Sequence, residues 1–148
     1  MFFSEISTTL REINPNNINE EWNNWLKDVK RFMIERKLVS SSLLKVWIDD
    51  IRERPNDYTM HMRSVNEVIN LLMFFEDDDN KRFLLDLDHD AGDFRAKGGD
   101  YIKILDWIEA TDYLNKHPDK IIFSIHSANP VGRENMMRII RKNDWEYI

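Results

Sequence analysis

Two short groups of acidic residues each follow an apolar run of the sequence. Asp49 and Asp50 are adjacent after one run, and Asp88 and Asp90 alternate after another. Two carboxylates held close together repel one another unless a cation or a proton lies between them. Carboxylate oxygens are ligands that suit Mg²⁺ or Mn²⁺. The pattern therefore predicts a divalent metal site, whereas the simpler interpretation of Asp49-Asp50 is a solvated polar turn.

The alternating run of Asp86, Asp88 and Asp90 resembles two known acidic motifs but completes neither. A calcium-binding loop would need a glycine and a glutamate at positions where this chain has alanine and lysine. A haloacid-dehalogenase-type phosphatase would need its acid pair downstream, whereas Asp49-Asp50 lies upstream. A metal site shared by Asp49, Asp50 and Asp88 fits the chain order better. Asp86 lies further back in the strand, where burial requires a partner.

Several polar residues near these acids are suited to handling a phosphate group. His126 and His89 can act as general acid or base near neutral pH, and the hydroxyl of Ser127 can donate to a phosphoryl oxygen. The turn at Asn129 precedes a helix whose first N–H groups, with Arg133, can bind an anion. Taken singly, a histidine in such a position more often has a structural role than a catalytic one.

Two arginines flank the first strands of the chain. Arg52 follows the acid pair directly, and Arg63 follows the second strand-like segment. An arginine beside a metal site can clamp phosphate oxygens with two parallel N–H groups, although a surface arginine is the simpler interpretation. No glycine-rich phosphate-binding loop of the Walker or dinucleotide type occurs in the sequence.

Alternating strand-like and helix-like segments must position these residues. Short apolar runs indicate buried strands, and apolar residues at spacings of three and four indicate helices. We expect strands at 43–48, 58–62, 83–87, 121–125 and 145–148, a loop at 92–99, and helices over 64–72, 100–114 and 134–142. This alternation predicts a mostly parallel sheet with helices on both faces. In such folds the ligand lies at the carboxyl ends of the strands.

The first 43 residues form a separate region, a predicted helical extension before an α/β domain at 44–148. Trp22, Trp25 and Val29 share an apolar face at helical spacing. The simpler interpretation is a helix packed on the main domain. The alternative is a contact with a partner or a second copy of this chain, with the two tryptophans as anchors.

Composition excludes several classes of protein. The chain of 148 residues has no cysteine, which rules out disulfides, thiolate metal sites and a cysteine nucleophile. The formal net charge of −6 disfavours binding to duplex DNA. The sequence lacks a signal-peptide pattern at its start and an apolar run near the roughly 20 residues that span a bilayer. We therefore expect a cytoplasmic protein with no membrane association.

Three sequence blocks together resemble the cyclic-phosphate processing receiver-like domains. They are WIDDIRERP from Trp47, LDHDAG from Leu87 and HSANPVGR from His126, and they occur in the order and spacing of that family. The resemblance covers about residues 44–148. It implies a receiver-like, doubly wound parallel sheet of five strands in the order 2-1-3-4-5.

The resemblance also implies a site and an activity. It places Mg²⁺ or Mn²⁺ at Asp49, Asp50 and Asp88. Further positions of the family motifs are matched by Asp90, His126, Ser127, Asn129 and Arg52. The implied reaction is hydrolysis of cyclic phosphates, with a cyclic nucleotide or cyclic-phosphate-ended RNA as substrate. The alternative is a non-catalytic receiver-like signalling or nucleotide-binding module. Ordinary phosphate-accepting receivers carry a lysine after the last strand, and its absence here disfavours a standard phosphorelay role.

Overall fold

A computed structural model of the chain describes residues 42–148, together with Asn23. The helical extension predicted for residues 1–43 therefore lies outside the described residues, apart from Asn23 and the first two residues of the first strand. No helix in the described part of the chain has the length and apolar character needed to cross a membrane.

Strands and helices alternate along most of the described chain, as the sequence predicts. The strands are β1 (Ser42–Ile48), β2 (Met60–Met62), β3 (Lys81–Leu87) and β4 (Ile121–Ile125). The helices are α1 (Val65–Phe74), α2 (Ile102–Ala110), α3 (Tyr113–Lys116) and α4 (Pro130–Lys142), with a 3-10 helix at Gly92–Lys97. All strand pairs are parallel, in the order β2-β1-β3-β4. The α/β class with a parallel sheet is thus confirmed.

The expected fifth strand over 145–148 is not formed. This segment makes a single parallel bridge, between Tyr147 and Phe123 of β4. Two backbone hydrogen bonds flank that bridge. The chain leaves α4 through a turn at Asp144, where φ is 55°. The four residues after this turn run beside β4 for too short a distance to form a strand. The sheet of the described residues has four strands, and the five-stranded prediction is not confirmed.

The two faces of the sheet differ because side chains alternate along each strand. Leu44, Val46 and Ile48 point to one face and are buried in the core with the helices. Trp47 points to the opposite face, in register with Asp86 of β3. On the core side α2 contacts both α1 and α4, so these helices lie side by side. A second layer of helices, expected from the sequence, is not seen in the described residues.

Helix boundaries follow capping residues more closely than apolar periodicity. The side chain of Ser64 accepts from the N–H of Glu67 and begins α1, as predicted. α4 begins earlier than the predicted 134–142, because Asn129 caps it through the N–H of Gly132. The single helix predicted for 100–114 is instead two helices, which a left-handed residue, Asp112, separates.

Candidate functional site

The carboxyl ends of β1 and β3 bring three aspartates together. β1 and β3 are neighbours in register along their whole length, so the residues that follow both strands meet at one edge. One carboxylate oxygen each of Asp49, Asp50 and Asp88 lies within 4.8 Å of the other two. Three hard oxygen donors at this spacing fit a divalent cation such as Mg²⁺ or Mn²⁺.

Asp49 is the buried member of this cluster, with 1% of its surface exposed. Its Oδ1 accepts from the backbone N–H groups of Ile51 at 2.9 Å and Arg52 at 2.8 Å. Its backbone oxygen accepts from Nε2 of His61 at 2.8 Å. Burial raises the pKa of Asp49, but these N–H groups and His126 outweigh burial and lower the pKa overall. The carboxylate is therefore held ionised in a fixed orientation.

Asp50 carries the repulsion within the cluster. Burial, followed by the charges of Asp49 and Asp88, raises its pKa above the ordinary value. The loop after β3 approaches it closely, because a Cβ at Gly92 would lie 2.3 Å from Oδ2 of Asp50. Gly92 also has a φ of 54°, which favours glycine. On the other side Arg63 donates to the backbone oxygen of Asp50 at 2.8 Å. These contacts hold Asp50 close to Asp49 and Asp88, and a bound cation would offset the repulsion among the three carboxylates.

His126 bridges two carboxylates. Its Nε2 lies 2.9 Å from Oδ2 of Asp49, and its Nδ1 lies 2.8 Å from Oδ1 of Asp86. Burial lowers the pKa of His126, but the hydrogen bonds and charges of the two carboxylates outweigh burial and raise the pKa overall. The ring therefore donates from both nitrogens and has no free nitrogen with which to accept a proton.

Aromatic side chains enclose this bridge. The ring of Trp47 stacks on His126 with centroids 3.7 Å apart and planes 6° from parallel. The indole N–H of Trp47 donates to the backbone oxygen of Arg52 at 3.0 Å. The hydroxyl of Tyr58 donates to Oδ2 of Asp86. Asp86 is buried and has two partners, which meets the requirement stated from the sequence.

Asp90, the fourth predicted metal ligand, lies outside the cluster of three. Its Oδ1 is 2.9 Å from Nδ1 of His89. The hydrogen bond from His89, and a further one from the amide of Asn129, lower the pKa of Asp90. The structure thus places Asp90 as the partner of a histidine, on the side of the site where α4 begins.

The predicted phosphate-binding arginines contact backbone oxygens. Arg52 donates to His126 at 3.2 Å, and its side chain remains exposed at the edge where the cluster lies. Arg133 instead donates to the backbone oxygen of Ile125 at 2.7 Å and to the hydroxyl of Tyr147 at 3.2 Å. Arg133 therefore ties α4 to the end of β4 and to the C-terminal segment, and the structure does not bring it to the aspartates.

The turn between β4 and α4 is built from two predicted site residues. The hydroxyl of Ser127 accepts from the N–H of Asn129 at 3.1 Å, and Oδ1 of Asn129 accepts from Gly132 at 3.0 Å. Both side chains therefore shape the start of α4. Their predicted contacts with substrate remain predictions.

Sequence reasoning missed Trp47 and Tyr58 as parts of the site. A signal for Trp47 exists, because it alternates with buried aliphatic residues and so points to the face that Asp86 occupies. Tyr58 gives no such signal, because it meets Asp86 across 28 positions of sequence.

A family model described as the cyclic-phosphate processing receiver domain matches residues 44–142. The match covers more than half of the chain and includes the aspartate cluster, the histidine bridge and the start of α4. Neither the curated proteins nor the solved structures gave a match to this chain.

Removal of the Asp86 carboxylate should destabilise the fold. Asp86→Ala leaves His126 and Tyr58 without their buried acceptor, so we expect the free energy of unfolding to fall by about 3 kcal/mol. Urea unfolding followed by tryptophan fluorescence measures this change. The control is Asp106→Ala, whose half-exposed carboxylate pairs with Lys103 and should change stability by about 0.5 kcal/mol or less. Equal losses in both variants would contradict the buried network.

The contribution of His126 to stability should depend on pH. Its raised pKa means that the folded state holds the proton more tightly than the unfolded chain. The contribution is therefore complete below the unfolded value of about 6.5 and is lost as pH rises through the folded value. We expect the stability advantage of wild type over His126→Gln, measured with chelator present, to shrink with rising pH above about 6.5. An advantage that grows with pH in this range would show the opposite sign.

Proposed function

The chain belongs to the cyclic-phosphate processing receiver family, and on this premise we propose that it is a metal-dependent phosphodiesterase acting on cyclic phosphates of nucleotides or RNA ends. The observation that supports hydrolysis is the meeting of three aspartates at the carboxyl edge of the parallel sheet. This edge is where folds of this class bind their ligands.

We assign Asp49, Asp50 and Asp88 as the residues that hold Mg²⁺ or Mn²⁺. A divalent ion bound there supplies neutralisation of the charge that develops on the phosphate oxygens. Asp49 is suited to orient such an ion because two backbone N–H groups and His126 fix both of its oxygens. In metal sites, partners of this kind around the ligands govern affinity and geometry.

Arg52 is the residue best placed to bind the anionic substrate directly. One N–H of its guanidinium is used on the backbone oxygen of His126, and the exposed remainder can face two phosphate oxygens. Its backbone N–H meanwhile holds Asp49. One short segment therefore links anion binding to the aspartate cluster.

Substitution of the cluster should abolish metal-dependent hydrolysis. We expect Asp49→Asn and Asp88→Asn each to lower kcat/KM by about 100-fold or more, since each removes one anionic ligand. The assay presents cyclic nucleotides and cyclic-phosphate-ended RNA with and without Mg²⁺. Asp57→Asn is the matched control, because Asp57 is exposed and pairs with Lys45 away from the cluster.

Two results of this assay would count against the proposal. Unchanged turnover in Asp49→Asn and Asp88→Asn would refute the site. Binding of the substrates by wild type without any product would refute hydrolysis, and it would favour the non-catalytic module.

A further inference from the structure

Side chains from β2 and the residue after it bind the main chain on both sides of Asp50. The backbone oxygen of Asp49 accepts from Nε2 of His61 at 2.8 Å. The backbone oxygen of Asp50 accepts from Nη1 of Arg63, also at 2.8 Å. These two oxygens belong to the peptide groups before and after the Cα of Asp50. Both peptide groups are therefore held, and with them the starting point of the Asp50 side chain.

The guanidinium of Arg63 is already engaged by groups of this chain. Its Nη1 donates to Asp50, and its Nη2 lies 3.6 Å from Oε1 of Glu53. An arginine clamps a phosphate by presenting two parallel N–H groups to it. Here a carbonyl and a carboxylate face the two terminal nitrogens, and the negative charge of Glu53 disfavours a second anion beside it. Arg63 is therefore less suited than Arg52 to bind substrate.

The main chain of Arg63 is fixed as well. Its carbonyl accepts from the hydroxyl of Tyr101 at 2.7 Å, and Tyr101 is fully buried where α2 begins. Its N–H donates at 3.4 Å to Oε1 of Glu67, which is buried in the first turn of α1. Arg63 is thus anchored through its main chain to two helices and through its guanidinium to Asp50. An arginine held at both ends can keep the neighbouring loop in one position.

Asp50 is the member of the cluster that most needs such support. Burial and the charges of Asp49 and Asp88 raise its pKa, and repulsion among the carboxylates favours movement of Asp50 away from the other two. The loop at Gly92 closes one side of its carboxylate. Arg63 holds the main chain on the other side. Asp50 therefore stays within reach of a cation that all three carboxylates share.

We propose that Arg63 is a positioning residue of the metal site, which holds Asp50 beside Asp49 and Asp88 through the backbone oxygen of Asp50. This inference rests on the proposed function and gives the two arginines different work. Arg52 binds the anionic substrate. Arg63 governs how tightly the cation binds, in place of the substrate contact expected from the sequence.

Mn²⁺ affinity tests this assignment without turnover. We expect Arg63→Met in the full chain to weaken Mn²⁺ binding about tenfold, as measured by electron paramagnetic resonance. Loss of a positive charge near the cluster would by itself tighten cation binding, so weaker binding has the sign that positioning predicts. Arg52→Met, which removes a charge without this contact, should not weaken Mn²⁺ binding. Unchanged or tighter binding in Arg63→Met would overturn the assignment.

Arg82→Met is the matched control, because Arg82 makes the same kinds of contact at the opposite edge of the sheet. Its Nε donates to the backbone oxygen of Asp119, and its Nη2 donates to Oε2 of Glu146 at 2.9 Å. It lies near the start of β3, whereas Asp88 follows the end of that strand. We expect Mn²⁺ affinity to be unchanged in Arg82→Met. Equal weakening in Arg63→Met and Arg82→Met would indicate general destabilisation and would overturn the assignment.

Arg63→Lys separates a positioning contact from a substrate contact. An ammonium group can donate to one backbone oxygen, but it cannot present the two parallel N–H groups of a guanidinium to a phosphate. We therefore expect Arg63→Lys to bind Mn²⁺ within about threefold of wild type, because one donated hydrogen bond is what positioning requires. Binding as weak as that of Arg63→Met would count against the assignment.

Kinetics with cyclic-phosphate substrates give an independent measurement. Arg63→Met should need about tenfold more Mn²⁺ for half of its maximal rate, and its KM at saturating Mn²⁺ should stay within about twofold of wild type. Arg52→Met should instead raise KM at saturating Mn²⁺. A raised KM in Arg63→Met under these conditions would show a substrate contact and overturn the assignment.

Failure of this inference and failure of the proposed function give different results. Wild type that binds Mn²⁺ without turnover would refute hydrolysis, while the Mn²⁺ affinities of the variants would still decide the role of Arg63. Wild type that binds no Mn²⁺ would refute the metal site, and the positioning role of Arg63 with it.

Discussion

Keeping a charged carboxylate buried at the end of β1 is the constraint on which the rest of this site depends. A buried ion is costly unless hydrogen bonds and opposite charge surround it. Asp49 meets this requirement with two backbone N–H groups and with His126. His126 in turn needs Asp86, and Asp86 needs Tyr58. Each buried polar group is thus satisfied by the next, and the series ends at the cluster of three aspartates.

The segment between β1 and β2 brings several of these hydrogen-bonding partners together. No helix lies between these two strands, and the chain instead crosses the face of the sheet that carries Trp47 and Asp86, which we call the polar face. Arg52 returns to the backbone oxygen of His126, and Tyr58 reaches Asp86 from the same link. Trp47 then fills the space beside His126 and donates to Arg52. The core face is left to apolar packing of aliphatic and aromatic side chains, so the polar network is built without disrupting the core.

The two histidines occupy different surroundings because they follow different strands. His126 follows β4 and turns toward the polar face, between carboxylates from β1 and β3. His89 follows β3 and rests on the start of α4, where Gly132 leaves room for the ring. One histidine is enclosed and fixed, and the other keeps a nitrogen free of described partners.

The sequence by itself determined four of the five predicted strands, the parallel sheet and the acids that end neighbouring strands. These depend on local pattern, since apolar runs define strands and parallel strands end at one edge. It also determined that Asp86 would need a partner, because a carboxylate inside an apolar strand is buried. Helix boundaries that capping residues set, such as the start of α4 after Asn129, were harder to predict, because the apolar periodicity of the sequence does not mark them.

Only the tertiary structure decided how the polar residues divide among themselves. Asp90 pairs with His89 instead of joining the other aspartates, and the segment at 145–148 forms one bridge instead of a strand. His126 meets Asp49 across 77 positions of sequence and Asp86 across 40. Contacts at such separations depend on strand register, on the path of the links and on side-chain rotamers. No local pattern encodes these quantities, because they are set by the packing of the whole domain.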